Sequence, residues 1–291
     1  MKQTADVAHG APPLELLDPF ERRAFRFMDL LVHQGRFLSY GYSRYVGPNW
    51  IWACVRNLYE VHGLERLRGL GPRDGIMLLS NHRSFFDLYF LFTALYRFTN
   101  LEQPVFCPVR ADFFYQRPLG IAVNFLAGGG RMYQPVFRET AKQAFNKWSV
   151  AEVAAILRQG NALVGMHPEG RRNQSEDPYT SLPAQPGIGK LVMDSWPVVV
   201  PAFINGLGNN IVNEILASWR RERPLRALLG EPADPNRRVI AVFGDPIDLT
   251  PFRGMSNRLA SHKKIADRLL ATVYQLGQEE RSIRAKIEAG R

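Results

Sequence analysis

The sequence predicts an α/β fold: a largely parallel mixed sheet flanked by helices, with a helical segment at the N-terminus. Three observations lead there. Short apolar runs of strand length recur at residues 76–79, 105–109, 162–166, 198–204 and 239–243. Helix-length segments separate them, the spacing of a layered sheet with crossover connections. Two polar clusters, at 81–87 and 167–172, each directly follow one of these runs.

Taken in order, residues 1–19 read as a loose leader, with Pro12, Pro13 and Pro19 and few apolar anchors. Phe20, Ala24, Phe27 and Leu31 then fall on one helical stripe. Arg22, Arg23, Arg26, Arg36 and Arg44 are set among Phe25, Phe37, Tyr40, Tyr42 and Tyr45. Two compatible readings stay open for this segment. It is a helical pair packed on the main domain, or an interfacial helix with its aromatics in lipid and its arginines at the headgroups. Gly41, Gly47 and Pro48 interrupt it, and a helical pattern resumes over 50–58. After Gly69-Leu70-Gly71-Pro72 the alternation begins: a strand at 76–79, a buried helix over 85–98, a strand at 105–109. Residues 118–130 carry no charge and end in three glycines. Ser149-Val150-Ala151-Glu152 has the form of a capping box, which predicts a helix from there to Gly160. The tail from Ser256 is helical, with Ile265, Leu269, Val273 and Leu276 on one face. The expected division is a leader and helical, membrane-surface segment over 1–60, an α/β domain over 61–255, and a C-terminal helix over 256–291.

With 37 Lys+Arg against 27 Asp+Glu in 291 residues the formal charge is +10, and the 46% apolar content excludes a largely disordered chain. Cys54 and Cys107 are too few for a disulfide scaffold or a four-cysteine zinc site, and they fit a reducing compartment. No apolar run suits a signal peptide or a spanning helix; the longest uncharged stretch, 195–213, holds Pro197, Pro201, Gly206 and Gly208. The expectation is a soluble or peripheral basic protein whose charge meets nucleic acid, a membrane surface or a phosphorylated substrate.

The clusters choose among these. Asn81-His82-Arg83-Ser84-Phe85-Phe86-Asp87 follows the strand at 76–79, and His167-Pro168-Glu169-Gly170-Arg171-Arg172 follows the strand at 162–166. If those strands are parallel neighbours, both loops lie at the carboxyl edge of the sheet, where α/β proteins bind ligands. A neutral imidazole can take a proton from an alcohol near pH 7, and an adjacent carboxylate fixes its tautomer. The alternative is a helix start with Asp87 in the first turn. Ser84 reads as an N-cap rather than a nucleophile, since the Gly-x-Ser-x-Gly elbow is missing. Arg171 and Arg172 can clamp a phosphate or form a solvated basic turn, and Glu169 can pair with one of them. Gly128-Gly129-Gly130-Arg131 can offer amides to an anion or make a tight turn.

Asn-His-x-Ser-x-x-Asp, followed some eighty residues on by Pro-Glu-Gly-x-Arg, resembles the glycerolipid acyltransferases typified by bacterial 1-acylglycerol-3-phosphate acyltransferase. The family's His-x4-Asp motif falls on His82 and Asp87, and its second block on Pro168, Glu169, Gly170 and Arg172. Gly187 and the Val199-Val200-Pro201 run fit later positions, and Arg110 stands where the family often has Lys. His167 replaces the usual aromatic, Arg171 the usual Thr, and Arg131 follows Gly128 at a shorter spacing than the family's arginine.

The resemblance implies transfer of a fatty acyl group from acyl-CoA or acyl carrier protein to a hydroxyl of a lysophospholipid such as 1-acylglycerol-3-phosphate. Glycerol 3-phosphate or another lysolipid is the alternative acceptor. His82 is the implied base and Asp87 its orienter. Glu169, Gly170 and Arg172 hold the acceptor head, joined by Arg131, with Arg110 a candidate at the thioester oxyanion. No metal and no bound cofactor are implied beyond the acyl donor as cosubstrate. The expected partner is an anionic membrane on its cytoplasmic side, with the protein peripheral, and not nucleic acid. Two rivals stand beside this reading. One is a hydrolase with zinc on His82, Asp87, His167 and Glu169; the other is a nucleic-acid-binding protein without catalysis.

Overall fold

Asp18 starts the first helix: its carboxylate accepts from the Glu21 amide at 2.8 Å, and its own amide donates to Glu21 at 3.0 Å. The computed structural model describes residues 10–290 apart from 233 and 235, so residues 1–9 of the expected leader lie outside the described residues. The N-terminal helices are α1 (Pro19–His33), α2 (Arg36–Gly41) and, after a π turn over Tyr42–Val46, α3 (Gly47–Val55). The face of α1 differs from the expected stripe. Ala24, Phe25, Met28 and Val32 are buried, whereas Phe20 and Phe27 face outward. Phe25 wins the interior because it meets Phe145 edge-on at 5.2 Å and Trp148 at 5.8 Å.

There follow β1 (Tyr59–His62), β2 (Gly75–Ser80), α4 (Asp87–Phe98), β3 (Val105–Phe106), β4 (Val109–Arg110), α5 (Ala111–Phe114) and α6 (Pro118–Gly128). The single strand expected over 105–109 is two. Pro108 has no amide to continue the ladder, and Cys107 and Val109 turn their amides to Arg131 and Gln134 instead. Next come β5 (Pro135–Val136), α7 (Gln143–Gln159), β6 (Ala162–Met166), α8 (Pro186–Ser195) and β7 (Val198–Asn205). Helix α7 ends at Gly160 as expected but starts well before Ser149. Phe145 is fully buried, and Ser149 is an interior residue donating to Pro135 O at 3.1 Å rather than a cap. The chain closes with α9 (Ile211–Trp219), α10 (Arg223–Leu229), β8 (Val239–Phe243) and the 31-residue α11 (Leu259–Ala289).

Six strands form the main sheet in the order β1-β8-β7-β2-β6-β3, and β4 pairs with β5 apart from it. Every pairing is parallel except β7 with β8. Alternation along the strands divides the interior in two. Met77, Leu79, Val164, Val199, Phe203 and Val242 pack with residues of α1, α7, α8 and α11. Ile76, Leu78, Leu163, Val200 and Ile204 pack with α3 and α4 on the other face. The expected α11 face is buried throughout: Ile265, Leu269, Val273 and Leu276 all belong to the first of these layers.

The pairing that matters for function is β2 with β6, in register from Gly75↔Ala162 to Leu79↔Met166. The loops leaving these strands therefore emerge side by side at the carboxyl edge.

Candidate active site

Beyond β2 the chain holds its place through Asn81, fully buried, whose side chain accepts from Ile204 N and donates to Ile204 O, both at 2.9 Å. The amide thus extends the β2–β7 ladder by one step after the backbone has turned away. His82 comes next, and its Nδ1 lies 3.2 Å from Asp87 Oδ2. The same oxygen accepts from the amides of Arg83 at 2.7 Å and Ser84 at 2.8 Å, so Asp87 folds the loop and starts α4. This is why α4 begins at Asp87 rather than at residue 85. Ser84 lies ahead of that start and acts as the sequence suggests, its hydroxyl accepting from the Phe86 amide at 3.2 Å while donating to Gly208 O at 2.6 Å.

Burial pushes the Asp87 carboxyl up to about 6, against the pull of His167 and the two amides. Burial, followed by the nearby Arg172 cation, holds His82 down at about 4. At neutral pH the pair is a carboxylate beside a neutral imidazole. With Nδ1–H donated to Asp87, the Nε2 lone pair is left to accept a proton.

His167, from the loop after β6, stacks on His82 with ring centroids 3.8 Å apart and planes 6° from parallel. Its Nδ1 reaches Ser80 O at 3.1 Å, and burial followed by the proximity of His82 depresses it to about 3. His82, Asp87 and His167 offer ligand atoms within 4.8 Å of one another. The stack fits a metal poorly, however. Imidazole lone pairs lie in the ring planes, and parallel planes this far apart cannot both aim at one ion. Glu169, the fourth ligand of the zinc rival, is fully engaged elsewhere.

That engagement gives Glu169 a structural place in the site. It is 1% exposed. One oxygen accepts from the His82 amide at 3.1 Å, and the other from Leu182 N and Tyr274 Oη, both at 2.8 Å. Glu169 therefore ties the 81–87 loop to the 169–182 segment and to α11. Asn173 completes the grip: its amide donates to His82 O at 2.6 Å. Gly170 takes φ +66°, where a Cβ would lie 2.7 Å from Gln185 Cγ, and its amide donates to His167 O. Its conformation shapes the turn, and its amide is not offered outward.

Arg172 is the cation left facing the dyad. Its guanidinium lies 3.8 Å from the Phe85 ring centroid, and no hydrogen bond or ion pair among the described residues occupies it. The other two candidate cations are held elsewhere. Arg131 is 4% exposed, lies over Phe106 and donates to Arg36 O at 3.3 Å. It lines an apolar cavity of ≈ 40 Å³ with Tyr89, Phe92, Val105, Cys107 and Met132. The preceding glycines spend their amides on the end of α6, so the 128–131 run is a tight turn and not an anion cradle. Arg110 lies in β4 and is paired with Asp112.

Sequence reasoning reached His82, Asp87 and Arg172. It named His167 as a departure and as a ligand of the zinc rival, not as a ring stacked on His82, and missed Asn173 and Tyr274. Tyr274 sits beside Val273 in the helical tail, and no local spacing links it to a residue 105 positions earlier.

Comparison with known proteins gives three findings. The sequence profile of the family described as Acyltransferase matches residues 59–205. Dihydroxyacetone phosphate acyltransferase of Oryctolagus cuniculus is 24% identical over 274 residues, covering 81% of this chain and 36% of that protein. The chain thus spans about a third of that relative's length. The crystal structure of a 1-acyl-sn-glycerophosphate acyltransferase from Thermotoga maritima aligns over 89% of this chain and 94% of its own, with TM-score 0.44 and 14% identity.

Proposed function

The chain belongs to the acyltransferase family, and from that premise we propose that it transfers a fatty acyl group from a thioester to a hydroxyl of a glycerol-phosphate lipid. The observation that carries the reading is the His82–Asp87 pair at 3.2 Å, with its carboxylate buried at the edge of a parallel sheet and Arg172 beside it.

The acceptor phosphate sits at Arg172, and the acceptor hydroxyl donates to His82 Nε2. As the oxygen attacks the thioester carbonyl, His82 takes the proton and Asp87 stabilises the imidazolium. Collapse of the tetrahedral intermediate breaks the C–S bond, and His82 returns the proton to the departing thiolate. No acyl-enzyme forms, and neither metal nor bound cofactor takes part. The donor is acyl-CoA or acyl carrier protein.

We read the acceptor as a lysophospholipid such as 1-acylglycerol-3-phosphate. A second reading, with a smaller phosphate acceptor such as glycerol 3-phosphate or dihydroxyacetone phosphate, is favoured by the name of the rabbit relative.

The working place is the cytoplasmic face of an anionic membrane. Phe27 and Leu30 of α1, Phe37 and Leu38 of α2, and Phe125 and Leu126 of α6 are all exposed. Phe27 lies 6.3 Å from Phe125, and Ser39 donates to Gly129 O at 2.6 Å, so α1 and α2 both meet α6 or the turn that ends it. Arg23, Arg26 and Arg36 are exposed on the same helices. Arg22 is not among these lipid-facing cations, because it donates to Leu14 O and Leu17 O.

The test is radiolabelled acyl-CoA or acyl carrier protein offered with lysophosphatidate, glycerol 3-phosphate and dihydroxyacetone phosphate, wild type beside His82→Ala. Product with at least one acceptor is expected, with turnover at least about 1,000-fold lower in the variant. Equal turnover by His82→Ala removes the base.

A further inference from the structure

We propose that Tyr274, on the C-terminal helix, is a positioning residue for His82 that acts through Glu169 and Asn173. The proposal rests on His82 being the base.

Two backbone groups fix where the His82 ring starts from, and both are held by the 169–173 turn. The His82 amide donates to Glu169 Oε2 at 3.1 Å, and the His82 carbonyl accepts from Asn173 N at 2.6 Å. These contacts span a sequence separation of about ninety residues, so nothing local to β2 maintains them. The Tyr274 hydroxyl touches both partners. It donates to Glu169 Oε1 at 2.8 Å and accepts from Asn173 Nδ2 at 3.3 Å. It is the point where the two halves of the clamp meet.

The hydroxyl is suited to this. Burial, with Glu169 beside it, raises Tyr274 above the usual phenol range, so it keeps the proton it donates. Its ring is seated edge-on against Phe203 of β7 at 5.6 Å, which ties the oxygen to the sheet that carries β2. Leu182 N is the remaining short donor to Glu169 Oε1, since Asn173 Nδ2 is 3.4 Å away. Removing the Tyr274 hydroxyl leaves a buried carboxylate short of a donor and cuts the Asn173 side-chain amide from the helix, leaving it only Thr180 O at 2.5 Å and the longer contact to Glu169. Both changes reach the backbone of the base while leaving Arg172 and the stacked His167 untouched. A loss of alignment should lower kcat more than it weakens binding.

An internal control lies further along the same helix. Tyr179 donates to Glu280 Oε2 at 2.6 Å, joining the same loop to the same helix, yet touches neither Glu169 nor Asn173. Tyr179→Phe thus weakens the seam without entering the clamp.

The experiment compares wild type, Tyr274→Phe, Asn173→Ala, Tyr179→Phe and His82→Ala in the acyl-transfer assay. Thermal melting and hydrogen exchange of the peptide spanning residues 81–87 are measured on the same proteins. Tyr274→Phe is expected to lose about 10- to 100-fold in kcat, with KM for both substrates within about twofold, and to exchange the 81–87 amides faster. Asn173→Ala is expected to do the same, and it carries the test if Tyr274→Phe does not fold. Tyr179→Phe is expected to lower the melting temperature and to keep wild-type kcat and exchange. Wild-type kcat in both clamp variants overturns the proposal, and so does an equal loss in Tyr179→Phe. Turnover by His82→Ala would instead sink the reading of the base. An inactive His82→Ala beside fully active Tyr274→Phe and Asn173→Ala sinks only the positioning role.

Discussion

His167 is one of the residues where this chain departs from the pattern it resembles, and the stack on His82 gives that departure a use. An imidazole tied to Ser80 O lays a flat ring against His82. His167→Phe should keep the stack and retain activity to within about tenfold, whereas His167→Ala should lose more as the base ring gains freedom. A metal-dependent hydrolase would behave differently, losing activity with either substitution and on chelation. The same residue has a pH signature. Folding depresses His167 from 6.5 to about 3, so between those values the unfolded chain binds the proton that the folded chain refuses. Its contribution is fully present above pH 6.5 and is lost progressively as pH falls. The melting temperature of wild type should therefore drop more steeply than that of His167→Phe on acidification from pH 6.5 to 4. Parallel slopes would show that His167 is not held neutral. The dyad itself was legible in the sequence because its two members lie five residues apart on one loop. Glu169 was legible as a site residue but not in its role, since the donors that saturate it come from residues 82, 182 and 274.

At the scale of elements, strands announced themselves and junctions did not. Apolar runs gave four of the main strands nearly to the residue. Strand β1 escaped because Tyr59-Glu60-Val61-His62 is neither long nor uniformly apolar, and becomes a strand only beside β8. The break at Pro108 was visible in principle, as a missing donor inside an apolar run. Two junctions invite tests. Asn81→Ala leaves the buried Ile204 N–H and C=O without partners and should cost about 2–4 kcal/mol in urea denaturation. Helices α8 and α11 touch through Gly189, where a Cβ would fall 1.9 Å from the His262 carbonyl oxygen. Gly189→Ala must push the helices apart, and a loss of about 1–3 kcal/mol is expected by the same measurement.

For the whole molecule, the charge and the exposed apolar face belong to one argument. No helix among the described residues is long and apolar enough to cross a membrane. The apolar face spread over α1, α2 and α6 instead suits a surface seat. Phe25, Met28 and Val32 lie in the core, so deleting the N-terminal helices would test folding rather than membrane binding. Replacing the exposed Phe37 and Leu38 with Asp leaves the core alone. The double variant should lose about 3 kcal/mol of partitioning, more than 100-fold, in flotation with anionic vesicles. Unchanged flotation would move the seat elsewhere. The sheet carries a further consequence, for the order of assembly. Strand β1 pairs with β8 across some 180 residues, and the Glu169 side chain meets a tyrosine on the last helix. Contacts of such span close late and slowly. On the ribosome, a chain that has already made its His-x4-Asp motif must wait until Tyr274 has emerged before that motif can be set in place.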